Sequence, residues 1–117
     1  MGPTKAYISH ENLRHNFNLI RKTVAPAGVM GVVKADAYGH GMIESAQTLI
    51  ANGVAYLGVA FPEEGVQLRE AGIQTPVLVF GAQNGDLFEM CLKNELEITL
   101  TAEYQIDRLR QVCEKTG

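Results

Sequence analysis

The chain has no tryptophan, two cysteines, no block of like charge and no apolar run approaching a membrane span. Each shortage excludes something. The cysteines, Cys91 and Cys113, lack C-x-x-C spacing, which argues against a disulfide framework or a redox pair and predicts two reduced core thiols on different helices. Ten basic residues are scattered through a chain of net charge -3, so neither nucleic acid nor anionic lipid is an expected partner. The longest apolar stretches, such as VAYLGVAF at 54–61, are too short to cross a bilayer, and the start MGPTKAYISHEN lacks a signal peptide's apolar centre; the expected compartment is the cytoplasm.

Nucleotide and metal motifs are missing as well. Lys34 is followed by alanine, which breaks the Walker pattern, and G-x-G-x-x-G does not occur. HENLRH at 10–15 comes within one residue of H-E-x-x-H, but on a helix His10 and His15 project about 140° apart, so both are expected on the helix surface and no metal is expected. No serine, histidine and acid set has elbow spacing. Glu63 and Glu64 fall in a helix's first turn, where the macrodipole accounts for them as a solvated face.

What is present is a soluble-domain composition, 46% hydrophobic and 20% charged. Ser9 predicts a helix N-cap, with Leu13, Phe17 and Ile20 at helical spacing as far as about Val24, and Ala25-Pro26-Ala27-Gly28 breaks it. Four short β-forming segments follow: Val29 to Val33, Ala55 to Val59, Val77 to Phe80 and Leu96 to Leu100. The first three are continuous runs of the kind buried on both faces, and the fourth alternates.

Helical patterns separate them. One uses Ile43, Ala46 and Ile50 and stops at Asn52-Gly53; another opens at Pro62 and uses Val66, Leu68 and Ala71; a third is introduced by Asn84-Gly85-Asp86 and carries Leu87, Met90 and Cys91. Thr101 can cap the last, carrying Ile106, Leu109 and Cys113. Four strand–helix units with short connections predict an α/β fold of parallel β/α units in one domain over residues 1–117, an open sheet or part of a barrel. A complete eight-unit barrel takes about 250 residues, so four units make half of a TIM-type barrel, with strand edges and an interior face uncovered. A fragment is expected rather than a complete enzyme.

Within GVVKADAYGHG at 31–41, Lys34 ends the first strand, at the sheet edge where parallel α/β folds bind ligands. A partly apolar setting there favours an uncharged amine, the form that attacks an aldehyde to make an imine. Position alone is better satisfied by a lysine stem running from the strand end into solvent. Tyr38, at the start of a turn, could offer its hydroxyl to an anion or simply pack, and Gly39 and Gly41 suit either a close backbone approach or an ordinary turn.

VVKADAYGHG resembles the pyridoxal-phosphate lysine motif of the alanine racemase family. The likeness extends over nearly the whole chain, through AYISHENLRHNFNLIR and YLGVAFPEEGVQLREAGIQTPVLVFG. It implies a pyridoxal 5'-phosphate-dependent isomerase interconverting L- and D-alanine for bacterial peptidoglycan, with Lys34 as the lysine that holds the cofactor and acts as one of two bases. By the same resemblance Tyr38 contacts the cofactor phosphate, and Val32 and Leu78 line its pocket. The family's second base, a tyrosine from the partner subunit's C-terminal β domain, has no matching position here. Nor do its pyridine-facing and substrate-carboxylate arginines. The expectation is therefore an N-terminal part, inactive alone and prone to homo-oligomerise. A related amino-acid racemase of broader specificity, or a non-catalytic self-associating half-barrel, remains open. Residues 5–8, which pair with that β domain in the family, are expected to be disordered or re-paired.

Overall fold

A computed structural model describes residues 2–82 and 85–116. Helix α1 (His10–Val24) leads into β1 (Met30–Val32), a short helical turn α2 (Lys34–Tyr38), α3 (Met42–Ala51), β2 (Tyr56–Val59), α4 (Pro62–Glu70), β3 (Val77–Ala82), α5 (Gly85–Lys93), β4 (Leu96–Thr99) and α6 (Glu103–Thr116). The expected helix-start residue Asn84 lies outside the described residues.

The strands form one sheet in the order β1-β2-β3-β4, every pair parallel. A doubly wound sheet reverses its strand order at a switch point, and the sequential order here has no reversal, so the curved-barrel alternative is the one realised. Gly31, Val33, Leu57, Val59, Val77, Val79 and Leu96 bury one face beneath the helices, joined in the core by Phe17, Leu49, Leu68 and Cys91. Continuous apolar runs predicted cover on both sides; in the structure only this face is covered. On the other, Met30, Leu78 and Phe80 are half-buried and Val32 is 38% exposed. Both faces read as apolar because the second would face a barrel interior.

Local sequence explains the helix ends. The Ser9 hydroxyl accepts from the Asn12 amide at 3.1 Å, and Arg14 pairs with Glu11 in the first turn of α1. The expected stripe of α1 holds at Phe17, whereas Ile20 is exposed. In α6 the buried positions are Gln105 and Val112 rather than Ile106 and Cys113. The Gln105 side-chain oxygen accepts from the Thr101 amide at 2.6 Å and the Ala102 amide at 3.0 Å, and satisfying those donors turns the helix by one residue, about 100°. Cys113 is therefore exposed, and only Cys91 is a core thiol, pushed up by burial and, secondarily, by the charge of Glu63. Residues 2–9 form no regular element and are exposed.

His10 also departs from expectation. Its Nδ1 lies 2.8 Å from the Thr48 hydroxyl, tying α1 to α3, whereas His15 is exposed as expected.

Candidate active site

The open mouth of the sheet, at the C-terminal strand ends, is shaped by two loops. In the first, β1 passes through Val33 into α2, which is not a right-handed helix. Ala35 (φ 51, ψ 48), Asp36 (φ 56, ψ 41) and Ala37 (φ 54, ψ 44) are left-handed, and Tyr38 has φ 56. Consecutive left-handed residues other than glycine cost about 1–2 kcal/mol each, so the surroundings must hold them.

They are held at several points. The Ala37 amide donates to the Val33 carbonyl at 2.9 Å and the Gly41 amide to that of Asp36 at 2.9 Å. The Asp36 carboxylate accepts from the Met42 amide at 2.8 Å, satisfying an orphan donor at the start of α3. The His40 ring donates from Nδ1 to the Ala37 carbonyl at 2.9 Å, and that purely accepting partner fixes the tautomer. Gly39 (φ 89) and Gly41 (φ 94) take the conformations L-residues avoid, which is the turn role open to them in the sequence.

The second loop carries Glu64, N3 of α4. Its Oε1 accepts from the amides of Ala60 at 2.8 Å and Phe61 at 3.0 Å, and its Oε2 accepts from the Ala35 amide at 2.8 Å. One carboxylate thus links the ends of β1 and β2 directly behind Lys34. It is half-buried rather than on a solvated face. Glutamate three residues after the cap and two after Pro62 is the reach-back position of a capping box; that signal is legible in the sequence, though the bond to Ala35 is not.

Strand alternation puts Met30 and Val32 on the open face, the register carries that face across Gly58 to Leu78 and Glu97, and Lys34 stands two residues past the end of β1, as the first residue of α2. Lys34 is half-buried and makes no side-chain hydrogen bond or ion pair among the described residues. Tyr38 is 62% exposed. Val32 and Tyr38 share a groove with Tyr7, Ile8, Leu13 and Ser45, whose buried hydroxyl has no partner; Lys34 and Leu78 do not line that groove. The structure therefore brings Val32 and Tyr38 together beneath residues 7–9, with Leu78 two strands away on the sheet face that Val32 shares and Lys34 outside the groove at the start of α2. Among the described residues no cluster of three or more His, Cys, Asp or Glu could hold a metal, and no helix is long and apolar enough to cross a membrane.

At the opposite, N-terminal strand ends, Arg69 of α4 donates to the carbonyls of Asn94 at 2.9 Å, Ile73 at 3.0 Å, Thr75 at 2.8 Å and Glu95 at 3.1 Å. One helix thus clamps both ends of the half-barrel, with Glu64 at the mouth and Arg69 at the base.

The family described as alanine racemase, N-terminal domain, matches residues 8–117. An alanine racemase of Carboxydothermus hydrogenoformans is 39% identical over 95% of this chain and 32% of its own length, and one of Halothermothrix orenii is 41% identical over 97% and 30%. Among solved structures, alanine racemase of Clostridium difficile 630 superposes with a TM-score of 0.93 at 36% identity, covering all of this chain and 31% of that one. The chain spans about a third of the length of these relatives.

Proposed function

The chain belongs to the alanine racemase family, matching its N-terminal domain, and on that premise we propose that it supplies the cofactor-lysine part of a pyridoxal 5'-phosphate-dependent racemase acting on alanine. The observation that carries the reading is the position of Lys34: just past the C-terminal end of β1, at the start of α2, half-buried and held by no carboxylate among the described residues, in a chain matching this family from residue 8 onward.

The residues fit such a group. A half-buried primary amine suits an aldehyde, the Tyr38 hydroxyl four residues on suits a phosphate, and Val32 and Leu78 on the same sheet face offer apolar walls to a planar ring. When bound, pyridoxal phosphate supplies an electron sink for a carbanion at the substrate Cα. Lys34 would hold the cofactor through Nζ and, as a free amine, would remove or deliver the substrate Cα proton on its own side. Tyr38 donates its hydroxyl to the phosphate and fixes the far end of the cofactor.

Inverting Cα needs proton exchange on both sides. The described open face of the sheet carries the titratable groups Tyr56 and Glu97, and these are bonded to each other. We assign the opposing base to a part of the racemase outside these 117 residues, so the chain alone does not racemise alanine. Its uncovered apolar face also favours self-association of the isolated polypeptide. Sedimentation should then give a mass above 12.7 kDa, and a strict monomer contradicts it.

Titration with pyridoxal phosphate tests the main reading. A visible absorbance band that saturates with the wild-type chain and is lost in Lys34→Ala supports it; identical spectra for the two chains overturn it.

A further inference from the structure

Between Lys34 and Tyr38 lie three left-handed residues, and the first, Ala35, has its amide held by a side chain from another β/α unit. We infer that Glu64 is a positioning residue for Lys34 and Tyr38: by fixing the Ala35 amide it sets the geometry between the anchoring amine and the phosphate-binding hydroxyl. This deepens the proposed role of Lys34 and rests on it.

A carboxylate does here what its amide cannot. Both oxygens of Glu64 accept, Oε1 from Ala60 and Phe61 and Oε2 from Ala35. Glutamine at this position can keep its oxygen on the α4 cap, but its NH2 then confronts the Ala35 N–H, donor against donor. Glu64→Gln therefore preserves volume and helix cap while releasing the loop. Release matters because the left-handed conformation is intrinsically disfavoured, and the amide of its first residue is the point tied to a neighbouring unit. Asp36 and His40 hold the turn at its far end, within the same β/α unit, so they leave its angle to β2 unset. Glu64 alone among these three bridges β1 to β2.

A purely structural role for Glu64 predicts something different: lost stability with no selective effect at Lys34. Two controls separate the cases. Glu63→Gln removes an exposed charge from the same helix turn and touches neither loop, and Arg69→Lys weakens the clamp at the opposite end of α4.

The experiment titrates wild type and the three variants with pyridoxal 5'-phosphate, following the Lys34-dependent absorbance band, and measures amide hydrogen exchange at Ala35 without cofactor. Glu64→Gln should weaken binding about ten-fold, the scale of a hydrogen bond to a charged acceptor, and speed exchange at Ala35. Glu63→Gln and Arg69→Lys should bind as wild type even where melting temperature falls. Unchanged affinity with a still-protected Ala35 amide in Glu64→Gln overturns the inference, as does an equal loss of affinity in Arg69→Lys. If Glu64→Gln does not fold, Glu64→Asp serves, because an acid one methylene shorter cannot reach both strand ends. A wild-type chain with no Lys34-dependent band refutes the cofactor reading instead, and the Ala35 exchange rates still decide whether Glu64 holds the loop.

Discussion

The Tyr56 hydroxyl donates to the Glu97 carboxylate at 2.7 Å, from β2 to β4 across the open face of β3. The bond retains the phenol proton, so Tyr56 is raised above the ordinary tyrosine range, with smaller contributions in the same direction from burial and the charge of Glu97. A group whose folded value lies above its unfolded value of about 10 contributes its full stability below that pH and loses it as pH rises through the folded value. Spectrophotometric titration should show a late-ionising tyrosine. Glu97→Ala, which removes the acceptor, should abolish the lag, and Tyr56→Phe should remove the late-titrating group.

Ala35 is exposed and left-handed, where a Cβ is unfavourable and nothing is gained by burying it. Ala35→Gly should raise the urea midpoint, by about 0.5–1 kcal/mol in stability, and Ala35→Val should lower it by at least about 1 kcal/mol. A destabilised glycine variant would contradict the left-handed assignment.

Arg69 satisfies four backbone carbonyls with one planar fork. An ammonium is a compact charge with no such reach, so Arg69→Lys should lose about 1–3 kcal/mol in denaturant unfolding. Equal stability would show the four contacts to be dispensable.

Gly65 of α4 faces β4, where an added Cβ would lie 2.7 Å and 2.8 Å from the two Leu96 methyls. Leu96 is 4% exposed and packed in the core, so Gly65→Ala should cost about 1–3 kcal/mol by overpacking. Gly65→Ala with an additional Leu96→Ala should recover part of that loss if this contact is its cause.

Period and punctuation made most of the fold legible. Ser9, Pro62 and Asn52-Gly53 mark helix ends where the structure has them, and apolar runs mark each strand to within a residue or two. The register of α6 escaped because Ile106 and Cys113 look like core by type, while the decisive residue is polar: Gln105 is buried because it caps its own helix. Lys34 reads in the sequence as the end of the first strand, but β1 stops at Val32 and Lys34 opens α2, whereas Glu64 was legible as a reach-back cap. Neither the left-handed run at 35–38 nor the Glu64–Ala35 bond has a periodic signature. The residues there are alanine, aspartate and tyrosine, whose types do not announce positive φ, and the bond joins positions 29 apart in the chain.

The central claim concerns Lys34 alone. Incubating the chain with pyridoxal 5'-phosphate, reducing with borohydride and mapping the modified peptide tests it most directly. The account predicts label concentrated on the peptide containing Lys34. Label spread over Lys5, Lys22, Lys93 and Lys115 with no preference for Lys34 would contradict it.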